Sequence, residues 1–286
     1  MLEPKHNPDH DNGKIGIVHR ACPLCGHDNA AGPRSRYSHA AWEVKDCVRC
    51  GFVYIEKAPE YEVLFSEMAW ERTTKVEERR RAEIRPFSYR FSKKTRARMR
   101  ILPRKKMHLL VETHARPGNV VDLGCGDGMA MAKLSADFVP FGVEISRHLA
   151  ALANQVFGAR SGRVINAPSL EGLKEFPDAF FCAASLRSYL EHEMKPQPVL
   201  RELHRTLAPG AVAIVKVPNY ASWNRIVTGR KWCGFRYPDH LNYFTPDTLR
   251  TMAERCGYRV RFDFTFRLPT SDNMYAILTK TTATVD

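Results

Sequence analysis

Four cysteines in two matching pairs, and an aspartate followed by alternate glycines, are the residues of this chain whose types and spacing could do chemistry. Cys22-Pro23-Leu24-Cys25-Gly26 and Cys47-Val48-Arg49-Cys50-Gly51 are Cys-x-x-Cys-Gly knuckles with twenty-one residues between them. Two such knuckles bring four thiolates within reach of one tetrahedral ion, and each glycine permits the turn that aims backbone N–H groups at sulfur. With all four positions filled by protein no place is left for a catalytic water, so Zn2+ on Cys22, Cys25, Cys47 and Cys50 would be structural. Cys125, Cys182, Cys233 and Cys256 are scattered, and read as small apolar residues.

The second stretch runs Val120-Val121-Asp122-Leu123-Gly124-Cys125-Gly126-Asp127-Gly128, with Glu144 ending another apolar run sixteen residues later. An apolar run that stops in alternate glycines reads as a buried strand turning sharply into a helix, with room for a ligand against the backbone. Glu144 would stand at the end of the neighbouring strand, where a carboxylate suits the paired hydroxyls of a ribose. Dinucleotide folds space their glycines G-x-G-x-x-G so that a helix N-terminus receives a pyrophosphate. Here the spacing is G-x-G-x-G, and the preceding Asp122 would repel a phosphate but suit an amino group.

Further segments carry a resemblance. Leu186-Arg187-Ser188-Tyr189-Leu190-Glu191-His192 follows a short apolar run; Leu200 to Gly210 reads as a helix ending in Pro-Gly; Asp239-His240-Leu241-Asn242-Tyr243-Phe244-Thr245-Pro246 comes later. With the glycine turn they resemble class I S-adenosylmethionine-dependent methyltransferases of the small-molecule branch, over about the last 170 residues, the length of one α/β domain. The resemblance implies an α/β fold with a seven-stranded Rossmann-like sheet, S-adenosylmethionine as cofactor, and cofactor contacts from Asp122, Gly124, Cys125, Gly126, Gly128, Glu144, Ser169 and Ser185. Three departures stand out: Asn166-Ala167-Pro168-Ser169-Leu170 replaces the family's acid for the adenine amine, Phe180-Phe181 replaces Phe-Asp, and Gly210-Ala211 replaces Gly-Gly.

Methyl transfer from a sulfonium is an in-line displacement, so a protein holds the two partners straight and takes a proton if the acceptor is a hydroxyl. His240 is the candidate base, or else a pin for the cap; His192, beside Glu191, either faces the cofactor or caps a helix. Tyr243, Arg236 and Trp232 either shape the acceptor site or pack. Base-amine chemistry would call for an Asn/Asp-Pro-Pro-Tyr type motif where Ser185-Leu186-Arg187-Ser188 stands, and pyrimidine C5 chemistry for a Pro-Cys that is absent. The leading expectation is therefore O-methylation, or N- or C-methylation, of a small acidic metabolite. An RNA- or protein-directed enzyme and a non-catalytic binding protein are the alternatives.

The elements that must position these residues follow from composition and pattern. Of the formal net charge of +13 over 286 residues, +12 falls between Arg79 and Lys106, where thirteen Lys or Arg face Glu83 alone. That run reads as a solvated linker, a clamp for an acidic substrate, or a nucleic-acid patch with Phe87, Tyr89 and Phe91 between the charges. The expected organisation is a disordered tail over 1–17, a zinc-ribbon appendage over 18–60, a helical basic linker over 61–115, and a methyltransferase domain over 116–286 with a substrate cap at 218–244. Expected strands are 118–123, 138–145, 162–166, 179–185, 211–217, 258–266 and 273–280, the last two as an antiparallel pair. No stretch approaches eighteen apolar residues and the first residues are polar, so a cytoplasmic protein without membrane insertion is expected.

Overall fold

The computed structural model describes residues 16–59, 106–262 and 271–281. The tail up to residue 15, the basic run except Lys106, and the end of the strand expected over 258–266 lie outside the described residues. The elements are β1 (Ile17–His19), β2 (Val44–Asp46), β3 (Val53–Ile55), β4 (Lys57–Pro59), α1 (Met107–His114), β5 (Gly118–Leu123), β6 (Phe138–Glu144), α2 (Arg147–Gly158) and β7 (Val164–Asn166). After them come α3 (Ser169–Lys174), β8 (Phe181–Arg187), α4 (Pro196–Thr206), β9 (Leu207–Pro218), α5 (Trp223–Thr228), β10 (Asn242–Tyr243), α6 (Pro246–Glu254), β11 (Tyr258–Phe262) and β12 (Asn273–Lys280).

Among the described residues one sheet has seven strands, in the order β11-β12-β9-β8-β5-β6-β7. The five strands from β9 to β7 pair in parallel, which places both faces under helices and explains runs such as Val120-Val121 and Ala183-Ala184 with no exposed side chain. β11 and β12 pair antiparallel as expected, but β12 also runs antiparallel to β9 along seven register pairs, inserted between β9 and β11. β5 lies between β6 and β8, so the connections leave it on opposite sides and a crevice opens at the carboxyl ends of these strands.

The helix expected after the glycine turn does not form: residues 124–135 are a series of turns. Arg160 ties down the end of this stretch: its guanidinium takes the carbonyls of Leu134 at 2.8 Å and Phe138 at 2.9 Å, as well as those of Ala132 and Ser135. Ser135 N–H is taken by Glu112 at 2.7 Å.

The cysteine segment and the cap, almost two hundred residues apart in sequence, form one body. β10 of the cap adds to β3, with Asn242 opposite Tyr54 and Tyr243 opposite Val53. Tyr37, Val44 and Ile55 share a core with Tyr220, Trp232, Phe235 and Tyr243, in which Tyr37 stacks on Phe235 at 4.9 Å. Ile17, expected in the tail, already pairs with Pro59. Arg20 joins the parts: Nη1 donates to Ile55 O at 3.0 Å and Leu241 O at 3.3 Å, and Nη2 to Met194 O and Asn242 Oδ1 at 3.0 Å each. Replacing Arg20 by Ala would remove all four of these hydrogen bonds, leaving Leu241 O with the Ile55 N–H alone, and lower stability by about 3 kcal/mol. Chemical denaturation measures it, and Arg20→Lys should rescue little, since an ammonium lacks the planar fork.

Candidate active site

The floor of the crevice is the turn after β5. Gly124, Gly126 and Gly128 have φ of 65°, 58° and 76°, a region that an L side chain enters only under strain. They are not equivalent. A Cβ on Gly128 would press on Ala153 and Phe157 at 3.1 Å, so this glycine serves packing against α2, whereas a Cβ on Gly126 would meet no atom within 4 Å. The space above Gly126 is open to a ligand. Glu144, at the end of β6, straps the turn: its carboxylate accepts Gly126 N–H at 2.8 Å and the N–H groups of Ile145 and Ser146 at 2.9 Å. Three of about four lone-pair positions are thereby used, leaving one for a ligand hydroxyl.

Asp122 and Ser185 are register partners on β5 and β8 and both are buried. Burial pushes the Asp122 carboxyl up to about 6, against the pull of the Ser185 hydroxyl and the charge of Arg187. The Ser185 hydroxyl has no good hydrogen-bonding geometry to any protein atom. A buried carboxylate beside such a hydroxyl suits a cationic donor group.

The wall is the loop after β8. Tyr189 leans over the turn, 3.1 Å from where a Cβ on Gly124 would be, and its hydroxyl donates to Glu193. Glu191, His192 and His240 converge, with ligating atoms all within 4.8 Å of one another. His192 Nδ1 is 2.8 Å from Asp239 O and His240 Nδ1 is 2.8 Å from Gly234 O; since carbonyls only accept, both Nδ1 atoms carry protons. The rings meet edge to face at 4.7 Å. Burial lowers His192 to about 4, so it is neutral at pH 7, and burial raises Glu191 to about 8 with Oε2 lacking a partner. Neither caps a helix, in contrast to the capping alternative: α4 has no side-chain cap, and the Lys195 N–H before it goes to Glu193 at 2.8 Å.

The Cys125 thiol lies in the core beneath the turn, against Gly142, and burial raises its pKa far above the usual thiol range. Ser169 is buried in the first turn of α3. Tyr243 packs in the cap core against Phe235 at 5.3 Å, since Asn242 takes the strand face toward the loop, donating to Leu190 O and Glu193 O. Trp232 donates to Asp272 at 2.8 Å, and Arg236 pairs with Asp239 at 3.4 Å. Tyr189 and Arg20 were not among the expected site residues. Tyr189 stands two residues after the end of β8 and could have been found there; Arg20 has no sequence signal.

The four knuckle cysteines come together around one point, with Cys22 Sγ 3.5 Å from Cys50 Sγ and Cys25 Sγ 3.6 Å from Cys47 Sγ. The two turns repeat each other: Gly26 N–H bonds Cys22 O and Gly51 N–H bonds Cys47 O, both at 2.8 Å, with φ of 71° and 70°. Backbone N–H groups of Leu24 and Cys25 point at the Cys22 sulfur, and those of Arg49 and Cys50 at the Cys47 sulfur. Thiolates at about 2.3 Å from a tetrahedral ion lie about 3.8 Å apart, close to these distances.

A family model described as a methyltransferase domain matches residues 79–261. The fold is similar to that of an S-adenosylmethionine-dependent methyltransferase from Thermotoga maritima, 18% identical over 61% of this chain and 88% of that one, with a TM-score of 0.47. It is also similar to one from Archaeoglobus fulgidus, 17% identical over 68% and 100% of the two chains, with a TM-score of 0.49. No curated protein matches the sequence.

The buried Glu191 carboxyl makes a measurable prediction. Its pKa is raised from 4.5 to about 8, so the fold favours the protonated form; that advantage is complete below pH 4.5 and is lost as pH rises to 8. Glu191→Gln, which is always neutral, should be more stable than the parent by about 3 kcal/mol at pH 7. Below about pH 4 the two should converge in denaturant titrations, both side chains then being neutral in either state.

Proposed function

This chain belongs to the methyltransferase-domain family, and from that premise we propose that it transfers the methyl group of S-adenosylmethionine to an oxygen of a small acidic metabolite. The observation that carries the acceptor reading is the convergence of His192, His240 and Glu191 in and beside the loop after β8, whose Tyr189 leans on the glycine turn. A hydroxyl acceptor must lose a proton, and a neutral imidazole fixed at Nδ1 offers Nε2 to take it.

The residues present fit the cofactor. Gly126 leaves the space for it, Asp122 and Ser185 offer a carboxylate and a hydroxyl to its ammonium, and Glu144 keeps a lone pair for its ribose. When bound, it supplies an electrophilic methyl on a sulfonium. The chain's own groups do the rest: His240, pinned by Gly234, accepts the proton at Nε2; His192 packs edge-on against it and holds its ring in place; the aromatic core of the cap keeps water out. The knuckle cysteines Cys22, Cys25, Cys47 and Cys50 hold one structural Zn2+, a reading supported by their spacing and by the backbone N–H groups aimed at sulfur.

Glu144→Ala should weaken cofactor binding in calorimetry by about tenfold or more, the loss of a charged acceptor to three backbone donors. Because Asp122 titrates at about 6 in the free protein and an ammonium partner favours its ionised form, affinity should rise as pH increases through 6. Unchanged affinity between pH 5 and 7.5 would remove Asp122 from the site. Labelled cofactor incubated with fractionated small-molecule and RNA extracts should mark an anionic small molecule; label in RNA alone would overturn the acceptor reading. Titration with a mercurial should release one zinc per chain and lower the melting temperature.

A further inference from the structure

Helix α5 is mounted inside out. It is fixed at its start by Ser222, whose hydroxyl accepts Arg225 N–H at 3.3 Å, and by Asp272, which takes Trp232 Nε1 at 2.8 Å and Asn224 Nδ2 at 3.3 Å. Arg225 lies over the Tyr220 ring at 4.1 Å and donates to the Tyr37 hydroxyl at 3.2 Å. No residue of the helix is buried. Its apolar residues are Trp223, Ile226 and Val227, exposed by 58%, 63% and 84%. They sit at i, i+3 and i+4, which puts them on one face. An amphipathic helix normally turns such a stripe to the core, so a stripe held outward by polar anchors is a surface awaiting a partner.

The surroundings state the chemistry of that partner. Ile226 and Val227 run into a cleft of 310 Å³ whose other walls are Tyr37, Thr228 and Gly229, flanked by Arg36 and Arg230. Among the described residues neither arginine pairs with a carboxylate: Arg36 donates to the Tyr37 hydroxyl at 2.9 Å, and Arg230 has no polar partner. Asp272, the acid that anchors the helix, is already engaged.

We propose that α5, with Arg36 and Arg230, is a docking surface for a bilayer carrying anionic headgroups. Three apolar side chains on one and a half turns are too few for the core of a stable protein interface, which gathers some twenty to thirty residues a side. They suffice for an interfacial contact, in which a tryptophan and two branched residues dip below the headgroups while guanidinium groups meet phosphates. A nucleic acid would use the arginines but leave Ile226 and Val227 in water. The contact is peripheral and crosses nothing: among the described residues no helix is long and apolar enough to span a membrane. It is independent of the acceptor.

The full chain should be floated with phosphatidylcholine vesicles and with mixed phosphatidylcholine and phosphatidylglycerol vesicles. Binding to the mixed vesicles should be tighter by about tenfold or more and weaken with salt. Tryptophan emission should shift to the blue on mixed vesicles, and Trp223→Phe should abolish that shift. The double variant Ile226→Asp with Val227→Asp should lose most vesicle binding while keeping its melting temperature and its affinity for cofactor, because no α5 side chain is buried. Equal binding to both vesicle types, or mixed-vesicle binding retained in the double variant, would overturn the proposal. So would binding to single-stranded RNA without binding to vesicles.

Discussion

Arg20 is the side chain on which the arrangement of this molecule turns. Its guanidinium is buried and desolvation lowers its pKa to about 10, so it is still charged at neutral pH. A charge held there must be fully hydrogen-bonded, and its partners come from β3, from the end of the loop after β8, and from β10. Through Asn242 the grip extends to Leu190 and Glu193 in the same loop, and so to Tyr189, Glu191 and His192. Its own backbone N–H bonds Glu56 O at 2.8 Å, and the first knuckle begins two residues later. A structural metal there would act on catalysis at a distance, by fixing where one arginine ends.

The site itself is assembled from groups that the fold would be more stable without. Asp122 and Glu191 are held above their usual pKa by burial, the Ser185 hydroxyl beside Asp122 is poorly placed for a hydrogen bond, and Glu191 Oε2 lacks a partner. Groups of this kind destabilise a native state by a few kcal/mol unless something they bind repays them. Elsewhere the sheet is conventional: parallel strands covered on both faces, with α2 capped by Ser146 and α6 by the reciprocal Thr245 and Thr248 pair.

The order of strands and helices was legible because apolar runs of six to seven residues, such as Gly118–Leu123 and Phe138–Glu144, alternate with helical patterns and are punctuated by glycine. The floor of the site was legible for the same reason: Asp122, the glycines and Glu144 sit at strand ends in a recurring spacing. The turns after Gly128 were not, nor was the hold of Arg160 on the end of that stretch, since its position in sequence gives no hint of its contacts. Nor was the union of the cysteine segment with the cap. Strand addition between β3 and β10 involves two residues on the cap side, too short a segment to carry a period. Which of the two alternatives Tyr243 takes was hidden for a related reason: its neighbour Asn242 claims the strand face toward the loop, and only the pairing register reveals which of two adjacent residues does so.

The place of β12 sets the timetable of synthesis. Residues 273–280 are made after every other described strand, yet they fill an inner slot of the sheet, with β9 on one side and β11 on the other. Until Lys280 has emerged, the long strand β9 presents an unsatisfied hydrogen-bonding edge and β11 has no neighbour to join. The amino-terminal cysteine module meets the same delay, since its own sheet waits for β10, made almost two hundred residues later. Strand edges in both sheets therefore stay open until these later strands are made, which exposes them to wrong pairing in the meantime.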